Sequence, residues 1–357
     1  MKFTHRRYQN GDAERINALY FSISGIQRSL PEFSWQWLES PAGESEIWLI
    51  EAELPGSEPK LIGHHGVMAE NFCFRGTPIR GGKTENTMVL PEYRDKILYP
   101  RLEKDFLSNY QDKFDILFST TGPAPALRLR KALGYTFEQA WQTVYFGSEP
   151  AISLSLFSEK ILPKLAIDPG PVLDTPGKES WQGLTIETIL PQQSEFDLDN
   201  LWASASANYG VTPSRTRRDL EWRFWNNPYK KHWMLKIGHE SDIFVCVLSH
   251  RKGRGLFVDD IYGTTPAKTI QIANQVLSWC RVKLGVTYLR TTTTTDCESF
   301  FSGARYFADT WLMRGASLIG QEREQPKMPR KVTDRGKKMG ITDDSLWYVT
   351  PFFLEGR

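Results

Sequence analysis

Apolar residues recur along this chain at two spacings, and the order in which those spacings follow one another comes round twice. Lys2 to Tyr8 predicts a strand, and beyond the turn residues Asn10-Gly11-Asp12, residues Ile16, Leu19, Tyr20 and Ile23 fall on one helix face. Leu184 to Leu190 predicts a second such strand, followed by a helix with Leu198, Leu201, Trp202 and Ala205 in the same stripe. Three strands are then expected in each half: Ile47 to Glu53, Lys60 to Ala69 and Lys83 to Leu90, and His232 to Ile237, Ile243 to Ser249 and Gly255 to Tyr262. A helix follows each set, with Leu98, Leu102 and Phe106 on one face in the first half and Ile272, Val276, Trp279 and Cys280 in the second. Strands at Phe114 to Ser119 and Val286 to Thr292 come next, then a shorter helix and closing strands. The pattern predicts an α+β protein that uses one order of elements twice.

A short aromatic signature carries the same repeat. Trp35-Gln-Trp37-Leu-Glu-Ser-Pro41 runs on to Trp48, and Trp222-Arg-Phe224-Trp-Asn-Asn-Pro228 runs on to Trp233. Long-period self-similarity of this kind records duplicated structural units. These aromatics are expected to pack a helix or turn against a sheet, because such rings bury large areas. The 357 residues agree with two domains at roughly 150 residues each. We place the first domain at residues 1–147, a linker at 148–181 and the second domain at 182–357. The linker contains Pro150, Pro163, Pro169, Pro171 and Pro176, with a short apolar helix expected around Leu154 to Leu165.

Composition removes several classes of function. Lys plus Arg number 44 and Asp plus Glu 42, so no global basic field favours nucleic acid. No run approaches the ~18 apolar residues of a membrane helix, and the polar N-terminus argues against a secretory signal. Cys73, Cys246, Cys280 and Cys297 are far apart and are read as reduced packing residues of a cytoplasmic protein. No metal is expected: the six histidines lack ligand spacing, and adjacent His64 and His65 point to opposite faces of a strand. Gln321 to Gly340 concentrates Arg323, Lys327, Arg330, Lys331, Arg335, Lys337 and Lys338, read as a solvated loop with an anion contact as the alternative.

Chemistry is most legible at Thr87-Met-Val-Leu-Pro91-Glu-Tyr93-Arg94-Asp-Lys96-Ile-Leu-Tyr99, where a strand is expected to pass directly into a helix. The first amides of a helix lack partners and its dipole favours negative charge, so phosphate binding is physically reasonable there, aided by Arg94 and Lys96. With the order of elements, this block resembles the acyl-CoA loop of the GNAT acyltransferase superfamily, Val-x-Pro-x-Tyr-Arg-Gly-Lys-Gly, at Val89, Pro91, Tyr93, Arg94 and Lys96. Leu133-Gly134-Tyr135 is similar to the Leu-Gly-Phe that closes that core. The whole chain resembles a tandem GNAT protein: two GNAT-like domains, each a mixed, mostly antiparallel sheet flanked by helices. The resemblance implies acetyl-CoA or another acyl-CoA as co-substrate. It would be held by Met88, Val89 and Leu90 and, around the pyrophosphate, by Arg94, Asp95, Lys96, Ile97 and Leu98.

Several positions depart from the family pattern. Asp95 and Ile97 stand where it has glycines, Pro123 where it has an Asn, and Arg130 where it has the Tyr that protonates the leaving thiolate. The turn after the matching strand of the second copy reads Gly263-Thr-Thr265-Pro266-Ala-Lys268, a helix start with Thr265 as cap and Pro266 at the first position, and has no phosphate-loop pattern, which makes that copy the scaffold. The repeat aligns Val89–Tyr99 with Val258–Lys268. Glu85 is the candidate general base, with His64 or His65 behind it, and Asp259 and Asp260 occupy the matching strand of the second copy. The leading expectation is transfer of an acyl group to a small-molecule amine, with an amino sugar of a surface polysaccharide implied by resemblance. The alternatives are a non-catalytic GNAT-like binding protein and a Fem-type aminoacyl transferase.

Overall fold

The protein is described here by a computed structural model, which covers residues 1–53, 56, 58–161, 169–191, 196–250, 255–297, 299–301, 303–306 and 326–354. Arg323 of the basic segment and the last residues expected of the linker helix lie outside them. The architecture is α+β, with two mixed sheets flanked by helices. The elements form two compact units, and neither is continuous in sequence. Unit 1 comprises Met1–Phe72, Pro78–Phe137 and Met328–Ser345, and unit 2 comprises Cys73–Thr77, Glu138–Lys327 and Leu346–Arg357. Residues 138–147 and 328–345 thus belong to the unit opposite to the one their place in the sequence suggests.

In unit 1 the chain runs β1 (Lys2–Arg7), α1 (Asp12–Ser24), α2 (Leu30–Trp37), β2 (Glu46–Glu53), β3 (Lys60–Phe74), β4 (Thr77–Val89), α3 (Leu98–Tyr110), β5 (Ile116–Phe118) and α4 (Ala124–Ala132). The sheet order is β1-β2-β3-β4-β5, completed at the β5 edge by β15 (Arg330–Val332), which pairs antiparallel with β5. The α1 stripe is buried at Ile16, Leu19 and Tyr20. Ser29 and Glu32 close a capping box at the start of α2, which satisfies amides that the helix leaves unpaired. Trp35 and Trp37 are buried as packing residues, and Trp37 lies directly over β3: a Cβ on Gly66 would meet its ring at 2.1 Å. On α3, Phe106 and Leu107 pack with Val67, Ala69, Phe114, Leu117 and Tyr135.

Unit 2 holds β6 (Trp141–Phe146), α5 (Glu149–Ile161), α6 (Gly170–Leu173), β7 (Lys178–Trp181), β8 (Leu184–Ile189), α7 (Leu198–Ala205), β9 (Val211–Pro213) and α8 (Arg217–Leu220). It continues through β10 (His232–His239), β11 (Asp242–His250), β12 (Gly255–Gly263), α9 (Thr269–Leu284), β13 (Tyr288–Thr294) and β14 (Arg305–Tyr306). The sheet order is β14-β6-β13-β12-β11-β10-β8-β7. Thus β6, expected to close the first half, pairs antiparallel with β13 over Leu289–Thr294. Trp222 and Phe224 are buried in a wide helical turn, Glu221–Trp225, that follows α8.

One feature occurs in both units and is needed by the site. β4 and β5 run parallel and pair only at Gly81–Lys83 with Ile116–Phe118, after which the two strands part. β12 and β13 do the same, pairing only at Gly255–Phe257 with Tyr288–Arg290. This pairing sets Glu85 level with Asp259 and Val89 level with Gly263. It corrects the alignment of Val89 with Val258 expected from the repeat, because strand pairing, not the Trp spacing, defines equivalence here.

Candidate active site

In unit 1 the open stretch of β4 begins at Lys83 and Thr84. The Lys83 ammonium is buried and pairs with Glu85 at 2.9 Å, so the candidate base carries its own counter-ion. Asn86 adopts φ 49°, a left-handed conformation uncommon outside glycine. Its carbonyl faces His64 Nδ1 at 2.7 Å. A carbonyl only accepts, so Nδ1 carries the proton and Nε2 the lone pair. Nε2 is buried without a hydrogen-bond partner, and burial depresses the His64 pKa to about 3. Thr84 Oγ1 and Asn86 Nδ2 are likewise buried and unmatched.

Beyond Met88, Val89 and Leu90 the strand does not pass directly into the helix, as the sequence suggests. Pro91–Lys96 forms a 3-10 turn, and Ile97 then takes φ 55°, ψ 35° before α3 begins at Leu98. The sequence puts an Ile where the loop geometry suits glycine, and the backbone keeps the glycine-like conformation. Arg94 Nε donates to Val89 O at 3.0 Å, and the Leu90 amide to Ile62 O at 2.9 Å. Lys96 pairs with the exposed neighbour Asp95 at 2.7 Å. Arg94, Asp95, Lys96 and Ile97 are exposed, while Leu98 is buried and anchors the helix. The structure therefore brings the predicted loop residues to one end of β4 and gives both cations partners nearby in sequence, the Val89 carbonyl and Asp95.

On the other face of β3 lies a buried polar group centred on Glu103, a residue that no sequence motif marks. Glu103 of α3 accepts from the Tyr135 hydroxyl at 3.3 Å and lies 3.4 Å from His65 Nε2 and 3.9 Å from Arg130 Nε. Arg130 also donates to Ser119 Oγ, and His65 Nδ1 meets Thr87 Oγ1 at 3.0 Å. Burial lowers the His65 pKa, only partly offset by the Glu103 charge, and pushes the Tyr99 and Tyr135 hydroxyls up. Arg130 is thus held inside the unit as the counter-ion of Glu103. Tyr135 is brought into this group by Gly134, whose φ of 84° permits the sharp close of α4.

The equivalent region of unit 2 is built differently. Asp260 accepts from Arg215 Nε at 2.7 Å and Nη2 at 3.0 Å, and from Thr350 Oγ1 at 2.8 Å. Both charged side chains are fully buried, and Trp202, Tyr209, Tyr262, Tyr348 and Phe352 present rings 5.2–6.0 Å from the guanidinium. Asp259 pairs with Lys230 at 2.8 Å. Thr265 does not cap the following helix, because its hydroxyl donates to Asp242. A cavity of about 720 Å³ in this unit is lined by Asp174, Tyr229, Lys230, Lys231, Trp233 and His250 among others. His239, Glu240 and Asp242 converge within 4.8 Å, but Lys268 pairs with both carboxylates at 2.9 and 2.7 Å.

Arg215 and Tyr348 were missed by sequence reasoning. A signal existed in the five consecutive threonines Thr291–Thr295: Thr291 and Thr293 on β13 turn hydroxyls inward, to Val258 O and Val349 O, each at 2.8 Å. In the basic segment, Arg335 pairs with Asp115 at 2.9 Å and Lys331 donates to Leu133 O at 2.9 Å. Those two residues are structural.

Against proteins of known structure, the chain is similar over 93% of its length to a GCN5-related N-acetyltransferase from Anabaena variabilis, at 12% identity, 73% of that chain and a TM-score of 0.60. A conserved protein of unknown function from Enterococcus faecalis V583, described as a probable N-acyltransferase, aligns over 93% of this chain and 72% of its own, at 8% identity and a TM-score of 0.61. A third, a GCN5-related N-acetyltransferase from Kribbella flavida, gives 10% identity, the same coverages and a TM-score of 0.55. The fold is that of the GCN5-related N-acetyltransferases. No protein-family model matches the sequence, and no curated protein does. Among the described residues, no helix of this GNAT-fold protein is long and apolar enough to cross a membrane.

Proposed function

We propose that the protein is an N-acyltransferase that takes an acyl group from acyl-CoA in unit 1 and passes it to a small-molecule amine. The observation that carries this reading is the parting of β4 from β5 after Lys83 and Phe118, with Thr84 Oγ1 and Asn86 Nδ2 buried and unmatched at the opening. Buried polar atoms without partners are costly, and an amide-bearing arm laid along β4 would satisfy them. Met88, Val89 and Leu90 would line that arm, and Arg94, Asp95, Lys96, Ile97 and Leu98 would surround the pyrophosphate. Glu85 would take the proton from the amine as nitrogen attacks the thioester carbonyl and the C–S bond breaks; Lys83 balances the Glu85 charge before the transfer. Most of the rate would come from holding amine and thioester together. An amino sugar acceptor and a tandem arrangement of two GNAT domains belong to the same proposal.

Calorimetry with acetyl-CoA and longer acyl-CoA species tests it. Micromolar binding of one of them is expected, and no heat from any of them, where a known GNAT enzyme responds, would sink the reading. Glu85→Gln should lower kcat at least tenfold with the KM for acyl-CoA little changed.

A second reading, a GNAT-fold binding protein without catalysis, is favoured by one observation: Arg130 is locked onto Ser119 and Glu103 and supplies no acid to a leaving thiolate. If Asp95→Gly with Ile97→Gly brings no gain in CoA affinity, that reading is preferred.

A further inference from the structure

The C-terminal segment of unit 2 lies between the two strands that part. From β12, Ile261 O accepts from the Tyr348 hydroxyl and Asp260 from Thr350. From β13, Thr293 donates to Val349 O at 2.8 Å, and Cys297, just beyond β13, accepts from the Val349 amide at 3.1 Å. Residues on both sides of the opening therefore bond to the same three consecutive residues. From the third side, the Val211 amide donates to Leu346 O, the Tyr348 amide to Val211 O, and Thr212 Oγ1 to Tyr348 O. Trp347, Tyr348, Val349, Thr350, Phe352 and Phe353 are each no more than 2% exposed, so the opening is filled to its centre. In unit 1, Asn86 stands level with Asp260, and its Nδ2 has no partner.

We propose that the slot of unit 2 is closed by the chain's own residues Trp347–Phe353, so that the protein has a single acyl-donor site, in unit 1. The segment is an internal occupant of the slot: it presents amide carbonyls and hydroxyls to β12 and β13 as an extended amide-bearing ligand would. It cannot share that space with one, because close-packed, fully buried residues leave no room for a second chain. The count of one donor site rests on the acyl-CoA reading above, whereas the closure itself does not. Closure also accounts for the buried Arg215–Asp260 pair, whose charges are kept from water by the aromatic side chains the segment brings.

Two measurements on the full chain test this. In hydrogen exchange read by mass spectrometry, peptides covering Trp347–Phe353 are expected to exchange as slowly as those of β12, because their opening requires that of the core. Exchange at the rate of an unstructured peptide overturns the closure, whether or not acyl-CoA binds. In calorimetry with acetyl-CoA, one equivalent per chain is expected and two overturn the proposal. No binding at all, with Trp347–Phe353 protected, refutes the acyltransferase reading and leaves the closure standing. Gly210→Ala supplies a local perturbation, since its Cβ would stand 2.0 Å from Leu346 O. It should speed exchange of Trp347–Phe353 at least tenfold with β4 unaffected, and unchanged exchange there counts against the seating.

Discussion

Removing the Asp260 carboxylate tests the energetics of unit 2 most directly. In Asp260→Ala, the Arg215 guanidinium loses its bonds at 2.7 and 3.0 Å and Thr350 loses one at 2.8 Å. Arg215 is 0% exposed, so the charge is left without a counter-ion and without water. Stripping one partner from a buried pair costs about 3–5 kcal/mol. Two effects moderate that figure: Thr212 Oγ1 and Pro213 O, both at 2.8 Å from Nη1, still solvate the cation, and the surrounding rings favour it by about 0.5–2 kcal/mol. We therefore expect about 3 kcal/mol of destabilisation, read as a shift in the urea midpoint of the transition reported by unit 2. Because the chain has two units, far-ultraviolet circular dichroism and hydrogen exchange of β12 should be followed together. The double variant Arg215→Met with Asp260→Leu removes both charges and should return to within about 1 kcal/mol of the parent. A loss below about 1 kcal/mol in the single variant, or a double variant as unstable as the single, would show that Asp260 is not the counter-ion that makes Arg215 tolerable in the core.

Three further outcomes are expected. Ile97→Gly should stabilise unit 1 by about 0.5–1 kcal/mol in chemical denaturation. It relieves the ~1–2 kcal/mol of a left-handed residue, against the ~0.5–1 kcal/mol that glycine gives up in conformational freedom; destabilisation would show that the Ile side chain is needed there. Gly66→Ala should cost about 1–3 kcal/mol, because the new Cβ would stand 2.1 Å from the Trp37 ring, and thermal melting would detect it. Stability should fall on acidification from pH 6.5 towards 3. His64 has its folded pKa depressed to about 3, so the unfolded chain binds the proton first and the loss reaches at most about 1.4 kcal/mol per pH unit. His65 and His232 shift in the same direction through burial. His64→Gln should flatten the slope of urea midpoint against pH, and an unchanged slope assigns it to other groups.

How far the site was legible depends on the range of the interaction. Val89, Pro91, Tyr93, Arg94 and Lys96 lie close together in sequence, and their placement at the end of β4 followed from local spacing. The left-handed backbone at Ile97 did not: nothing in an Ile announces a conformation that surrounding contacts impose on it. Glu85 was placed on the strand by alternation, but its pairing with buried Lys83 depends on which face β4 turns inward. His64 and His65 were rightly sent to opposite faces by the two-residue period. Only the Asn86 carbonyl, on the neighbouring strand, sets the His64 tautomer. Arg130, read as a lost acid, is the counter-ion of a glutamate 27 positions away.

The succession of strands and helices could be read along the chain before any contact was known. Periodicity and turn residues are local properties, written in the spacing of neighbouring residues, so the order of strands and helices and the α+β class could be read directly. Tertiary structure decided the pairings. A strand's alternation shows that it will pair but not with which edge, and so Trp141–Phe146 joins β13 while Arg330–Val332 closes the sheet at β5. The same limit hid the segment Trp347–Phe353, whose apolar residues announce burial without naming the place. Each of these outcomes brings together residues more than 130 positions apart, or fills a space that exists only once the strands have diverged, and no local pattern carries that information.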